Sequence, residues 1–314
     1  ATPFHGTKTA QERLKFLKDW REAKPDDPTP LVLQAHLHIS MAWAARGGGY
    51  ANTVTQEGWQ IFRQELTNAL TVAREAERMN ADDPEVFHVL VILAKGLSAK
   101  REHLDRYVEA GRKIFPAYYP LYNAAAEYLL PRWHGEPGDC GKFAESICDA
   151  IGGDEGQIAY ARIAMTTNYY DKDMLYYEYD AKKLAAGCKL MEQKFPNATY
   201  LLNFLAVNSL KSQDHAAAQK FYARLRKLQP DMRQWGPQWR YEKFKAFAEA
   251  PAVTDFADEV HWPYVLGTAD ITYLDGGKVF VTAPNAQDEL VRFWSRDDLK
   301  QPTGALPPFP DRVS

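Results

Sequence analysis

The stretch that decides the fold covers residues 199–230 and reads TYLLNFLAVNSLKSQDHAAAQKFYARLRKLQP. Residues 202–206 form an apolar helix face, and a turn follows at Gln213-Asp214. After the turn, apolar residues recur at helical spacing at Ala218, Tyr222 and Leu225. Pro230 stops the second helix because proline has no amide hydrogen to donate. These residues predict a helical hairpin whose helices cross closely at the small side chains Ala206 and Ala218.

This hairpin resembles a tetratricopeptide repeat at each marked position except the first aromatic one, where Leu202 stands. A weaker form of the pattern precedes Pro84, Pro116 and Pro196, and each of these prolines is expected to close a helix. The spacing is about 34 residues, or that distance plus an insertion, as stacked helical hairpins require.

The helical part is predicted to cover residues 1–249. A helix from Trp59 to Asn80 carries one apolar stripe, made of Phe62, Leu66, Ala69, Leu70, Ala73 and Ala76. The expected fold class is mainly α, a tetratricopeptide-like α-solenoid of helical hairpins, with a globular helical bundle as the alternative.

Residues 250–314 follow a different pattern. Residues 271–274 and 279–282 are β-branched and aromatic runs joined by Asp-Gly-Gly-Lys, which predicts a β-hairpin. Asn285 is expected to cap a short helix that contains Leu290, Val291, Phe293 and Trp294, and the proline-rich tail 301–314 should be extended. We expect this segment to cap the last repeat, with a docking strand for a partner as the alternative.

Composition excludes several classes. The 314 residues carry 38 Lys and Arg against 41 Asp and Glu, a net charge of −3, so no strong nucleic-acid surface is expected. No window of 18 apolar residues predicts a membrane span. The start Ala1-Thr2-Pro3 fits cleavage by a signal peptidase, which favours a periplasmic or secreted protein over a cytoplasmic one.

Three cysteines are too few for a disulfide framework and too scattered for a zinc site. Cys140 and Cys148 lie on one predicted helix, about 12 Å apart along its axis, and cannot bond to each other. Cys188 could pair with either of them.

Two further blocks are unusual for a plain repeat. Residues 42–50 read AWAARGGGY and precede Trp59, while residues 128–133 read YLLPRW and precede Gly135, Phe143-Ala144 and the sequence YARI at 160–163. Together they resemble a bacterial domain-of-unknown-function family of tetratricopeptide-like proteins. The resemblance covers roughly residues 20–248 and departs at Gly-Glu-Pro-Gly-Asp, 135–139, where a shorter Gly-Ser link is expected. It implies a fold and no chemistry.

The same blocks contain candidate binding residues. Arg132 and Trp133 follow Pro131 and should emerge together from a turn, as packing groups or as an aromatic and cationic recognition surface. Arg46 should lie at a helix end, where a cation complements the dipole, and Gly47–Gly49 should let the chain leave that end. A phosphate loop at these glycines is excluded because the following Lys-Ser/Thr is missing.

Signals for catalysis and for metals are weak. No His-Glu-x-x-His pattern is present, His36 and His38 point in different directions, and His88 is interpreted as a core histidine. No metal or cofactor is therefore predicted. Cys140 in the first turn of a helix, with His134 nearby, is the candidate for thiol catalysis, although Asp139, the expected helix cap, would oppose a thiolate.

The sequence therefore favours a non-catalytic scaffold that binds a peptide or helix of a partner protein in a groove. Tyr200, Asn203 and Val207 should face this groove, and Arg46, Arg132 and Trp133 are further candidate partner-binding residues. The repeat around Val86, Val89 and Leu93 suggests an apolar ligand segment. The alternatives are an accessory subunit of a larger assembly that docks through its C-terminal cap, and a thiol enzyme.

Overall fold

The structure is a computed structural model, and it describes residues 9–171, 174–211, 214–228, 230–236, 238–249, 270–274, 278–282 and 292–295. The fold is mainly helical, as predicted. Its helices are α1 Ala10–Ala23, α2 Thr29–Arg46, α3 Gln56–Met79, α4 Pro84–Gly96, α5 Arg101–Ile114, α6 Tyr119–Tyr128, α7 Asp139–Ile151, α8 Gly153–Tyr170, α9 Met174–Tyr177, α10 Ala181–Lys194, α11 Thr199–Lys211, α12 His215–Leu225, α13 Met232–Trp235 and α14 Gln238–Glu249. The strands are β1 Asp270–Leu274, β2 Lys278–Thr282 and β3 Arg292–Ser295.

The chain divides into two compact units, Ala1–Leu190 and Met191–Ser314, and the division falls within α10. The predicted boundary between residues 249 and 250 lies inside the second unit. In the first unit, α2 packs on α3, α4 on α5, and α7 on α8. The helices α2, α4, α6 and α8 are successive neighbours and form one layer of this repeat-like arrangement.

The amphipathic helix α3 shows how the pattern of apolar residues sets the core. Its predicted stripe is buried at Phe62, Leu66, Ala69, Ala73 and Ala76, while Leu70 is half-buried. The helix begins after Thr55, whose side chain accepts a hydrogen bond from the amide of Gly58. Burial of this stripe fixes α3 against its neighbours.

One proline acts differently from the prediction. Pro84 does not end α3, which stops at Met79, but opens α4 as its first residue. Proline suits that position because the first amides of a helix have no partner within the helix. The carboxylate of Asp83 caps the same end by accepting a hydrogen bond from the amide of Glu85.

The helix α7 is capped by a residue from beyond the next helix. Gly138 precedes α7 with φ +90°, and the carboxylate of Glu178 accepts hydrogen bonds from the amides of Gly138 and Gly141, at 2.9 and 3.0 Å. A Cβ at Gly141 would lie 2.2 Å from the carbonyl oxygen of Glu178. The prediction that Asp139 caps this helix is therefore wrong. Its carboxylate instead accepts a hydrogen bond from the amide of Glu136.

The second unit contains the predicted hairpin of α11 and α12. Ala206, Ala218 and Leu225 are fully buried, as expected for closely crossing helices. The hairpin is followed by α13 and α14, which pack on it and bury Trp235 and Phe244.

The three strands of the second unit form an antiparallel sheet in the order β1-β2-β3, with Ile271 opposite Val281 and Phe280 opposite Phe293. Phe293 and Trp294 lie in β3, so the prediction of a short helix is wrong at these two positions. Aromatic residues such as these are enriched in strands. Asn285, Leu290, Val291 and the tail 301–314 lie outside the described residues.

Candidate functional site

The layer of α2, α4, α6 and α8 has one partly exposed face, here named the layer face. It is defined by half-buried side chains at helical spacing: His36 and Trp43 on α2; Glu85, His88, Ile92 and Lys95 on α4; Asn123 and Glu127 on α6; Arg162 and Tyr170 on α8. Hydrogen bonds, ion pairs and ring contacts link the successive helices across this face, and these contacts make it one continuous surface.

The layer face corrects the predicted register of α4. Val86, Val89 and Leu93 are each about 1% exposed and belong to the core, so they do not line a groove. Seven residues of this helix are buried, and a helix that is apolar nearly all round has no clear face in its sequence. The exposed side of α4 instead carries Glu85, His88 and Lys95 beside a single apolar residue, Ile92, so the apolar ligand segment inferred from Val86, Val89 and Leu93 loses its basis.

The two unusual sequence blocks meet at one end of the layer face. Trp43, Trp59 and Trp133 gather there with Arg46 and Lys95, and we name these five residues the tryptophan cluster. Trp133 meets Trp43 edge to face, with ring centroids 5.6 Å apart and an interplanar angle of 86°. Both Trp43 and Trp59 contact the ring of Phe62 in the same way, at 4.9 and 5.6 Å.

Two cations lie among these rings. The guanidinium carbon of Arg46 is 5.7 Å from the ring centroids of Trp43 and Trp59 and 5.8 Å from that of Trp133. The Lys95 Nζ lies 5.4 Å from the rings of Trp43 and Trp133. Cation–π attraction is worth about 0.5–2 kcal/mol per contact, more where water is excluded.

Arg46 also closes the end of α2, as predicted. Its Nη1 donates to the carbonyl oxygens of Gly47 and Gly49, at 3.1 and 2.8 Å. Gly47 leaves the helix with φ +73°, a conformation that glycine adopts without strain. The arginine therefore joins the helix end to the tryptophan rings.

The cluster continues onto α6 and α8. Lys95 forms an ion pair with Glu127, and Glu127 accepts a hydrogen bond from the hydroxyl of Tyr170. Burial is the main cause that raises the pKa of Tyr170 well above its usual range, and the nearby carboxylate of Glu127 adds to it. This hydroxyl therefore stays protonated. Arg132 is exposed, and its guanidinium lies 5.5 Å from the Tyr170 ring centroid. Arg132 and Trp133 thus both lie in the turn after α6, Arg132 exposed beside Tyr170 and Trp133 half-buried against Trp43.

The opposite end of the layer face holds a second group, the histidine cluster, which consists of His36, Glu85, His88 and Tyr118. Nε2 of His36 lies 2.5 Å from one Glu85 oxygen, and Nδ1 of His88 lies 3.1 Å from the other. The hydroxyl of Tyr118 donates to Glu85 as well. Burial would raise the pKa of Glu85, but the hydrogen bonds from His36, His88 and Tyr118 outweigh it and hold that pKa far below its usual range.

The sequence interpretation missed this cluster. The spacing of Glu85 and His88, one helical turn apart, was visible, but His36 joins them from α2 and no local pattern shows this contact. Among the described residues, His36, Glu85 and His88 form a group of potential metal ligands whose donor atoms all lie within 4.8 Å of one another.

Tyr119, which follows Tyr118 of the histidine cluster, joins α6 to α8. Its hydroxyl donates to Glu155 at 2.5 Å, and the guanidinium of Arg162 lies 4.3 Å from the centre of its ring. Burial lowers the pKa of Arg162, which nonetheless stays positively charged near neutral pH. The buried Oδ1 of Asn123 has no hydrogen-bond partner in the described part of the chain.

The residues expected to line a groove in α11 occupy different environments. Tyr200 is 40% exposed, whereas Asn203 and Val207 are buried. The Asn203 Oδ1 accepts hydrogen bonds from Nε1 of Trp235 at 2.7 Å and from the amide of Asp231 at 3.1 Å. The expectation that Asn203 and Val207 face a groove is corrected, because α13 and α14 pack against α11.

The thiol candidate has no supporting geometry. Burial is the main cause that raises the pKa of Cys140 to about 12, and the negative charges of Glu178 and Asp139 add to it. Its Sγ contacts the carbonyl oxygen of Ala126, while Nε2 of His134 contacts that of Lys95. All three cysteines are free, so the pairing considered for Cys188 does not occur.

Comparison with protein-family models and with curated proteins gives no match to this chain. Within the described residues, no helix combines the length and the apolar character needed to cross a bilayer.

Proposed function

We propose that this protein is a non-catalytic scaffold of tetratricopeptide-like helical hairpins that binds a segment of a partner protein on the layer face. One observation carries the proposal. The four helices of the layer, α2, α4, α6 and α8, present a continuous, half-buried surface with an exposed arginine and several tryptophans at one end. Arginine and tryptophan are enriched among the residues that dominate binding energy at protein interfaces.

The chemistry of the tryptophan cluster suggests which segment binds. The half-buried rings of Trp59 and Trp133 can accept a large apolar side chain, and the exposed guanidinium of Arg132 can pair with a carboxylate. Lys95 is already paired with Glu127. We therefore expect a peptide or helix with an apolar anchor next to an acidic residue, rather than a purely apolar segment.

Site-specific photo-crosslinking in native extract tests this location. A photoreactive phenylalanine derivative replaces Ile92 or Asn123 on the layer face, and Ile61 on α3 is the matched control because it is 40% exposed on another surface. We expect one protein to crosslink at positions 92 and 123 and not at position 61. Equal crosslinking at all three positions, or none at 92 and 123, would contradict the proposal.

Charge reversal of Arg132 tests the acidic group once the crosslinked segment is known. Arg132→Glu should weaken binding of the synthetic segment at least tenfold, whereas Arg63→Glu on the exposed side of α3 should leave it unchanged. Since both arginines are exposed, neither substitution removes a core contact.

The C-terminal strands support a separate proposal, that residues 250–314 cap the last helices of the second unit. The supporting observation is that β1 lies beside α14. If the cap instead docks the protein into an assembly, deletion of residues 267–314 should remove the partner while the layer-face crosslinks persist. Membership of the domain-of-unknown-function family and export from the cytoplasm remain predictions from the sequence.

A further inference from the structure

We propose that His36, Glu85 and His88 form a binding site for a divalent transition-metal ion of the zinc class. The proposal concerns a different part of the layer face from the tryptophan cluster. It requires no partner protein, so it stands or falls independently of the proposed function.

The ligand set fits such an ion. Two imidazole nitrogens and a carboxylate oxygen are ligands that zinc, cobalt and nickel accept, whereas calcium and magnesium prefer oxygen alone. The three donor atoms already lie within 4.8 Å of one another. Around a tetrahedral zinc ion with bonds of about 2.0–2.1 Å, neighbouring ligand atoms are about 3.3 Å apart. Side-chain rotations alone can therefore close the site.

The backbone holds the ligands in place. Glu85 and His88 are one turn apart on α4 and share a helix face, and His36 projects from α2, which packs directly against α4. No ligand comes from a loop, so the positions of all three backbones are fixed by helix packing. Such preorganisation lowers the cost of assembling a site.

The site is open to solvent on one side. The side chains of His36, Glu85 and His88 are 36%, 26% and 16% exposed. Three protein ligands leave a tetrahedral ion one position for water, as in zinc sites that keep an exchangeable ligand. The ion can therefore enter from solvent without opening the core.

Tyr118 supplies the outer hydrogen bond that metal-binding carboxylates usually have. Its hydroxyl donates to Glu85. On binding, each neutral imidazole loses to solvent the hydrogen that it now directs at Glu85 and takes up one at its other ring nitrogen, so His36 Nε2 and His88 Nδ1 become free to bond the metal with no net change in protonation. Tyr118 can keep its hydrogen bond to the coordinated carboxylate.

The test uses the full chain after treatment with a chelator. Titration with Zn²⁺ in a calorimeter should show one ion per chain, and Co²⁺ should give visible absorption bands from a mixed nitrogen and oxygen site. His36→Gln and His88→Gln keep a side-chain amide near Glu85 and so preserve the fold; each should weaken binding at least tenfold. Tyr118→Phe should weaken it about tenfold.

The control is His103→Ala, since His103 is exposed on α5 and outside the cluster. It should bind both ions as the unmodified protein does. The proposal is overturned if Zn²⁺ does not bind at millimolar concentration. It is also overturned if the His36→Gln/His88→Gln double variant, with unchanged helical circular dichroism, binds Zn²⁺ as tightly as the unmodified chain.

Discussion

Trp43 and Trp133 come from two separate sequence blocks and meet edge to face across the layer of α2, α4 and α6, with ring centroids 5.6 Å apart. Lys95 lies 5.4 Å from both rings, so one cation links the pair to α4. The contact explains why both blocks are unusual for a plain repeat: the turn after α6 returns to α2 and packs the ends of three helices together.

Truncation of one indole should therefore destabilise the first unit. Trp133→Ala removes the ring contact with Trp43 and two cation–π contacts, and we expect a loss of about 2 kcal/mol in the free energy of unfolding. Urea denaturation followed by circular dichroism measures it. Trp133→Phe should recover part of the loss, and Tyr50→Ala, at a side chain 84% exposed, should change stability by less than about 0.5 kcal/mol. Equal effects of Trp133→Ala and Tyr50→Ala would contradict a packing role.

Asn203 should be essential for the stability of the second unit. Asn203→Ala leaves the buried Nε1–H of Trp235 and the amide of Asp231 without their acceptor, so we expect a loss of about 3 kcal/mol. The fluorescence of the fully buried Trp235 helps to follow unfolding. Tyr200→Ala, on the same helix but 40% exposed, is the control and should have a small effect. A small effect of Asn203→Ala would contradict this structural role and would make Asn203 a candidate for partner binding again.

Glu192 should make part of the stability depend on pH. Burial would raise the pKa of Glu192, but Lys220 and Arg224 lower it below the ordinary glutamate value of 4.5. Because the folded-state pKa is the lower one, the stabilisation is fully present above about pH 4.5 and is lost as the pH falls through the folded value. Glu192→Gln should thus cost about 0.5–1 kcal/mol at pH 7 and progressively less in acid. A difference between the two proteins that stays constant down to pH 3 would contradict this origin.

The cysteines should differ sharply in reactivity. Burial raises the pKa of Cys188 to about 12, and burial with nearby acidic groups does the same for Cys140. Burial raises the pKa of Cys148 as well, but this thiol is more exposed than the other two. At pH 8, a thiol reagent should therefore label Cys148 quickly and the other two only after unfolding. Cys148→Ser should remove the fast reaction. Fast labelling of Cys140 in the native protein would instead reopen the thiol-enzyme hypothesis.

Sequence patterns predicted the helical fold well where a helix is amphipathic. The stripe of α3 is buried at Phe62, Leu66, Ala69, Ala73 and Ala76, because a single apolar face leaves one way to pack. The same reasoning failed for α4, in which apolar residues surround the helix and only Glu85, His88 and Lys95 mark the exposed side. The register of α4 was set by packing against α2, α5 and α6, which periodicity does not contain.

The residues of the candidate sites could also be predicted only in part. Arg46, Arg132 and Trp133 were recognisable because unusual residues stood at helix ends, and the structure brings Arg46 and Trp133 together. His36 could not be joined to Glu85 and His88 from sequence, since the contact depends on how α2 and α4 pack. Asn203 was wrongly predicted to face a groove, because α13 and α14 cover one side of α11.

The hydrogen bonds from Gly138 and Gly141 to Glu178 determine where the protein can be cut. A fragment that ends at Ile151 would contain every residue of α7 yet leave its first amides without their acceptor. Since the carboxylate comes from beyond α8, the helices between these residues should unfold in one cooperative step rather than one hairpin at a time. The shortest autonomously folding N-terminal fragment should therefore extend past Glu178.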